Sequence, residues 1–164
     1  MIRITLALLA PLLLTGALQA NFSLPYVLSD GMVLQRDKPV RIWGKGEEGA
    51  EIKAWLNGQD GKAKVKNGHW SITFEPYEAG GPYDLTIQSP KKTQIIQDVL
   101  IGEVWIAGGQ SNMQWSVSGS IHKEQALSMR ENKRLRVFKQ TRNSSASPQF
   151  DTLDAKWMPS TSDN

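Results

Sequence analysis

Between residues 51 and 88 the chain repeatedly alternates apolar and polar side chains with a period of two. Trp70, Ile72 and Phe74 alternate with Ser71 and Thr73, while Tyr83, Leu85 and Ile87 alternate with Asp84, Thr86 and Gln88. A period of two gives a strand one face for a core and one for water, and it cannot build an amphipathic helix. Turn residues punctuate the pattern at residues 46–49, at Asn57-Gly58, at Asp60-Gly61, at Asn67-Gly68 and at Gly80-Gly81-Pro82. Asn67-Gly68, between Lys62-Ala-Lys-Val-Lys66 and Trp70-Ser-Ile-Thr-Phe74, is a strong hairpin signal, because both residues tolerate the positive φ angles of a tight hairpin turn. Residues 22–100 are therefore expected to form a small antiparallel β-sandwich.

The chain contains no cysteine, so neither a disulfide nor a thiolate metal site can hold this fold, and its core must do so. Two separated histidines, His69 and His122, do not make a ligand set, and no metal or other cofactor is expected. A net charge of +3 across 164 residues is small. Lys62, Lys64 and Lys66 alternate along a strand, and no aromatic platform or groove-reading motif accompanies them. They read as a solvated face, and nucleic acid is not an expected partner.

Residues 1–20 follow different rules. Arg3 precedes an almost wholly apolar stretch from Ile4 to Leu14, and Thr15-Gly-Ala-Leu-Gln-Ala20 offers small residues before polar sequence begins. This is the pattern of a secretory signal peptide, too short for a membrane span of about twenty apolar residues. The expected location is secreted or periplasmic, with no stable membrane anchor after cleavage.

After residue 100 the pattern changes. Residues 104–107 are apolar and read as a short buried strand. A helix-compatible stretch runs from about His122 to Glu131, Leu135-Arg-Val-Phe138 reads as another strand, and a polar loop follows at residues 143–148. Strand, helix, strand is the opening of an α/β layer with a parallel sheet. Such a sheet needs more elements than residues 101–164 supply, so this second domain is expected to be incomplete.

Gly108-Gly109 links the expected strand to Ser111. One reading makes Ser111 a helix cap after a glycine turn. The other makes it a nucleophile past the strand's carboxyl end, with the amides of Ser111, Asn112 and Met113 turned toward an oxyanion. The spacing matches neither a phosphate-binding loop nor the G-x-S-x-G elbow. Trp55 poses a similar choice. Ile52, Ala54 and Leu56 share one strand face and leave Trp55 on the other, where it could stack on a sugar or pack against a loop or neighbouring domain. His122 reads as a surface residue at a helix start.

Gly109-Gln-Ser-Asn-Met113, preceded by Gly102-Glu-Val-Trp105, resembles the first sequence block of the sialate O-acetylesterase family, a branch of the SGNH (GDSL-type) hydrolases. Leu28-Ser-Asp-Gly-Met-Val-Leu-Gln-Arg36, followed by Lys38-Pro-Val-Arg-Ile-Trp-Gly44, resembles the opening of the amino-terminal β-domain of the same family. The resemblance implies an α/β, flavodoxin-like SGNH-hydrolase domain starting near residue 101. It also implies a serine esterase that removes O-acetyl groups from sialic acids or another acetylated sugar. Ser111 would be the catalytic nucleophile and its amide an oxyanion donor, with Gln110 and Asn112 as loop-shaping or binding residues. The family's catalytic Asp and His come late, as Asp-x-x-His. No Asp in this chain has a His three positions on, so an inactive amino-terminal fragment is expected. The remaining alternative is a non-catalytic β-sandwich module that binds carbohydrate.

Overall fold

The computed structural model describes residues 22–129, 131–140, 144–152 and 154–161. The leader assigned to residues 1–20 lies outside them. The described chain is mostly strand: β1 (Val33–Gln35), β2 (Val40–Lys45), β3 (Glu51–Leu56), β4 (Gln59–Lys64), β5 (His69–Phe74), β6 (Gly80–Gln88) and β7 (Thr93–Gly102), then helix α1 (Lys123–Ser128), β8 (Asn132–Lys139) and β9 (Lys156–Ser160). One sheet runs β1-β7-β6-β3-β4, a second pairs β2 with β5, and a third pairs β8 with β9.

The first two sheets close on one core. Ile42, Ile72 and Phe74 from the smaller sheet meet Ile52, Leu56, Leu85, Ile87, Ile96 and Val99 from the larger. Ile52, Leu56, Ile72, Phe74, Leu85 and Ile87 are apolar members of the period-two pattern, and burying each side chain of this core contributes about 1.5–3 kcal/mol. Crowding dictates glycine at two strand positions, Gly44 opposite Trp70 within the smaller sheet and Gly61 where the two sheets approach closely. A Cβ on Gly44 would stand 2.7 Å from a ring carbon of Trp70, and one on Gly61 would stand 2.5 Å from a methyl of Ile72.

Several details depart from the expectations drawn from the sequence. Asp60-Gly61 lies within β4 and makes no turn, because Gly61 faces the core under Ile72. Gly80-Gly81-Pro82 likewise begins β6, at a register shift against β7. Asn67-Gly68 does form the tight turn, with φ of 53° and 74° and reciprocal backbone bonds between Lys66 and His69 at 2.9 and 3.0 Å. Beyond that bridge the two strands part into different sheets, since β5 pairs with β2 and β4 with β3. One strand pair in the larger sheet is parallel, β1 beside β7. Parallel neighbours need a long crossover, and the intervening β-structure supplies it.

The parallel α/β layer is absent among the described residues. Residues 103–110 form no strand, and β8 pairs antiparallel with β9. A strand is stable only with a ladder partner and a covered face, and the described residues give residues 104–107 neither. Trp105 and Ile106, expected inside, are 86% and 98% exposed. The helix is shorter than expected, six residues from Lys123.

Candidate functional site

The two sequence blocks that carry the family resemblance meet in space. β1 belongs to the first block and lies parallel to the end of β7, pairing Val33 with Leu100, Leu34 with Ile101 and Gln35 with Gly102. The Arg36 amide donates to the Gly102 carbonyl at 2.9 Å. The Gln35 side chain extends this grip: its Oε1 accepts from the Val104 amide at 2.9 Å, and its Nε2 donates to Glu103 Oε2 at 3.3 Å. Arg36 stands 3.8 Å from the Glu103 carboxylate and 2.6 Å from Asp37, and the Asp37 hydrogen bond raises its pKa. The segment leading to Ser111 is thus held at its root by side chains that the sequence reading left unassigned. The clue was the Leu-Gln-Arg run in the first block.

From Gln110 to Ser120 the hydrogen bonds are local. Gln110 is extended and precedes a 3₁₀ turn, Ser111–Gln114, without a side-chain cap. Ser111 is therefore the first residue of the turn and caps nothing. Its side chain is exposed, which leaves the hydroxyl presented to solvent. The expected glycine turn differs in kind: neither Gly108 nor Gly109 has positive φ. A Cβ at Gly109 would stand 2.7 Å from Cγ of the exposed Met113, whose side chain would have to turn aside.

Of the three amides expected to face an oxyanion, that of Met113 is already used, donating to the Gln110 carbonyl at 2.9 Å. Those of Ser111 and Asn112 open the turn and have no intrahelical acceptor, as the first amides of any helix do. The Asn112 carbonyl accepts from Trp115 at 3.2 Å, so Gln110 and Asn112 each contribute one backbone carbonyl to the bonds of the turn. Among the described residues no histidine hydrogen-bonds Ser111. The His69 ring lies 2.9 Å from the Asn67 carbonyl through Nδ1, and His122 is the exposed residue before α1.

A pocket of about 650 Å³ lies beside this segment, lined by Val33, Leu100, Trp105, Leu135, Phe138 and Trp157 among others. Ser111, Gln110 and Asn112 do not line it. The hairpin of β8 and β9 closes its far side and is tied back to the core. Trp157 Nε1 donates to the Val27 carbonyl at 2.9 Å, and Arg136 Nη2 pairs with Asp98 at 2.8 Å. The Arg136 side chain is only 5% exposed, and its Nε and Nη1 find no partner among the described residues. Its burial was legible only from its sharing a strand face with Phe138.

The human sialate O-acetylesterase is 31% identical to this chain over 70% of the chain and 24% of the relative. The mouse sialate O-acetylesterase is 32% identical over 66% of the chain and 22% of the relative. The chain is a homologue of the sialate O-acetylesterases. It spans about a quarter of the length of these relatives. The crystal structure of a carbohydrate acetylesterase from Xanthomonas citri superposes with a TM-score of 0.82 at 35% identity, covering 86% of this chain and 33% of that one. No family model matches the chain.

Proposed function

We propose that these residues are the amino-terminal part of an exported carbohydrate esterase that removes O-acetyl groups from sialic acids through a serine acetyl-enzyme. In this reading residues 22–100 are a β-sandwich, and residues from 101 onward open an SGNH-hydrolase domain completed by chain absent from this sequence. The observation that carries it is Ser111, uncapped and exposed in the block Gly109-Gln-Ser-Asn-Met113, in a chain homologous to sialate O-acetylesterases. Ser111 Oγ attacks the acetyl carbonyl, and the Ser111 amide helps hold the oxyanion. The sugar hydroxyl then leaves, and water releases acetate. A histidine from the remaining chain takes the Ser111 proton and returns it to the leaving oxygen. Trp105 and Ile106, exposed here, become interior when further strands pair with residues 104–107.

The Xanthomonas neighbour, a carbohydrate acetylesterase, supports a second reading, in which the acetyl group sits on another saccharide. Both readings share one test. The protein expressed from the complete reading frame is incubated with a fluorophosphonate probe and with O-acetylated sialic acid and acetylated xylan. Labelling and acetate release that vanish in Ser111→Ala are expected, with the faster substrate naming the sugar. An unlabelled protein without acetate release refutes both.

The chain alone is expected to be nearly inactive. A site lacking a triad member keeps about 10³–10⁴ of acceleration over water, where an intact enzyme gains about 10⁶ or more. Robust Ser111-dependent hydrolysis by residues 21–164 would overturn the fragment reading.

A further inference from the structure

We infer that the outer face of the five-stranded sheet, around Trp55, is a docking platform for an acidic saccharide, separate from Ser111 and independent of the esterase reading. Strand register places Trp55 between Asp60 of β4 and Thr86 of β6, and Thr86 opposite Ile95 of β7. Trp55 is 39% exposed and Ile95 54%. Two strand spacings separate them, about 10 Å, roughly the span of two pyranose rings. The next row places Lys53 opposite Lys62. Lys53, Trp55, Asp60 and Lys62 line one shallow depression of the surface.

The arrangement identifies its ligand by chemistry. An indole left open on a polar face offers a flat apolar surface to the C–H face of a sugar ring. Two ammonium groups directly opposed across a strand pair repel each other. Glu51 stands 3.5 Å from Lys53, and no ion pair is recorded for Lys62 among the described residues. A carboxylate-bearing sugar stacked on Trp55 would bring its charge to this pair and relieve the repulsion, while the Asp60 carboxylate could accept from a sugar hydroxyl. Lysines on β4 also protect a sheet edge from pairing with other chains. Edge protection does not explain an open tryptophan on β3, which is paired on both sides. The platform lies toward the β4 edge, whereas the Ser111 segment leaves from β7 next to β1 at the other edge, so a ligand here is not a substrate poised for Ser111.

The test is titration of the purified chain with oligogalacturonate, N-acetylneuraminic acid and neutral xylo-oligosaccharide, followed by nuclear magnetic resonance at the tryptophan indoles. At least one acidic sugar is expected to shift the Trp55 indole signal, and the neutral sugar is expected to bind at least several-fold more weakly. Trp55→Ala is expected to weaken binding about tenfold, Lys62→Glu to weaken it, and 0.5 M salt to do so in the wild type. Trp55→Phe, which keeps a ring on the strand, supplies the second variant if the alanine form does not fold and is expected to retain part of the affinity. No shift at Trp55 with either acidic sugar, equal response to the neutral one, or unchanged affinity in Lys62→Glu would each overturn the inference. Its failure leaves the Ser111 reading untouched, since no step of the test measures hydrolysis.

Discussion

Replacing Gln35 with alanine is expected to loosen the root of the Ser111 segment while leaving the β-core folded. The Gln35 side chain makes two bonds to that segment, from the Val104 amide at 2.9 Å and to the Glu103 carboxylate at 3.3 Å. The first is short and involves a backbone donor that no strand ladder serves, so its net worth is about 1 kcal/mol. The second is long and exposed, worth no more than about 0.5 kcal/mol. Together they correspond to roughly a tenfold change in a local opening equilibrium. Amide hydrogen exchange at Val104 is the assay, and exchange about five- to tenfold faster in Gln35→Ala is the expected result. Amides inside β3 and β6 should be unaffected, because a local opening does not require their ladder to break. Gln35→Glu separates the two bonds: it keeps an acceptor for Val104 but sets a second carboxylate against Glu103, so protection should persist when the carboxyls are protonated in acid and weaken when they ionise. Unchanged Val104 exchange in Gln35→Ala would refute the clamp and leave the segment held through Arg36, by its bond to Gly102 and its contact with Glu103.

Gly61→Ala places a methyl 2.5 Å from the Ile72 side chain and is expected to cost about 1–3 kcal/mol in urea denaturation; an unchanged midpoint would show that the two sheets are free to separate there. Tyr77 donates to the Leu56 carbonyl at 2.8 Å, and burial raises its pKa to about 12. Its folded pKa exceeds the unfolded value of about 10, so its contribution is intact below pH 10 and lost as pH rises toward 12, roughly 3 kcal/mol in all. Denaturation from pH 9 to 12 should show this loss in the wild type and a weaker dependence in Tyr77→Phe; equal slopes would contradict it. Arg136→Met removes a buried cation with two unpartnered nitrogens and leaves behind Asp98, whose side chain is 51% exposed. Stability within about 1 kcal/mol of the wild type, or above it, is expected from urea denaturation, and a loss of 3 kcal/mol or more would show that the Asp98 pair is a net stabiliser.

The parts of this molecule legible in its sequence are those whose partners lie within the sequence. Ile52, Ala54, Leu56, Leu85 and Ile87 alternate in the chain and are all buried, because a period-two pattern needs only the facing sheet to complete it. Asn67-Gly68 was readable for the same reason, since a tight turn is settled by the φ preferences of its own two residues. Asp60-Gly61 misled because glycine carries two meanings: it permits a turn, and it permits another chain to come close. Only the position of Ile72, contributed from a different sheet, selects the second.

Residues 104–107 fail in the opposite way. Their composition is that of an interior strand, yet a strand is a property of pairs, and among the described residues their hydrogen bonding to another element is limited to the root, where Val104 donates to Gln35. The same reasoning separates the two proposed sites. Ser111 sits in a turn whose bonds are all local, from the Gln110 carbonyl to the Trp115 amide, so its position follows from the sequence block itself, whereas the proposed mechanism draws its base from elsewhere. Trp55 needs no missing element, because its neighbours Lys53, Asp60 and Lys62 are fixed by the register of β3 and β4. Binding at Trp55 is therefore testable on this chain as it stands, while the catalysis proposed for Ser111 is tested on the product of the complete reading frame.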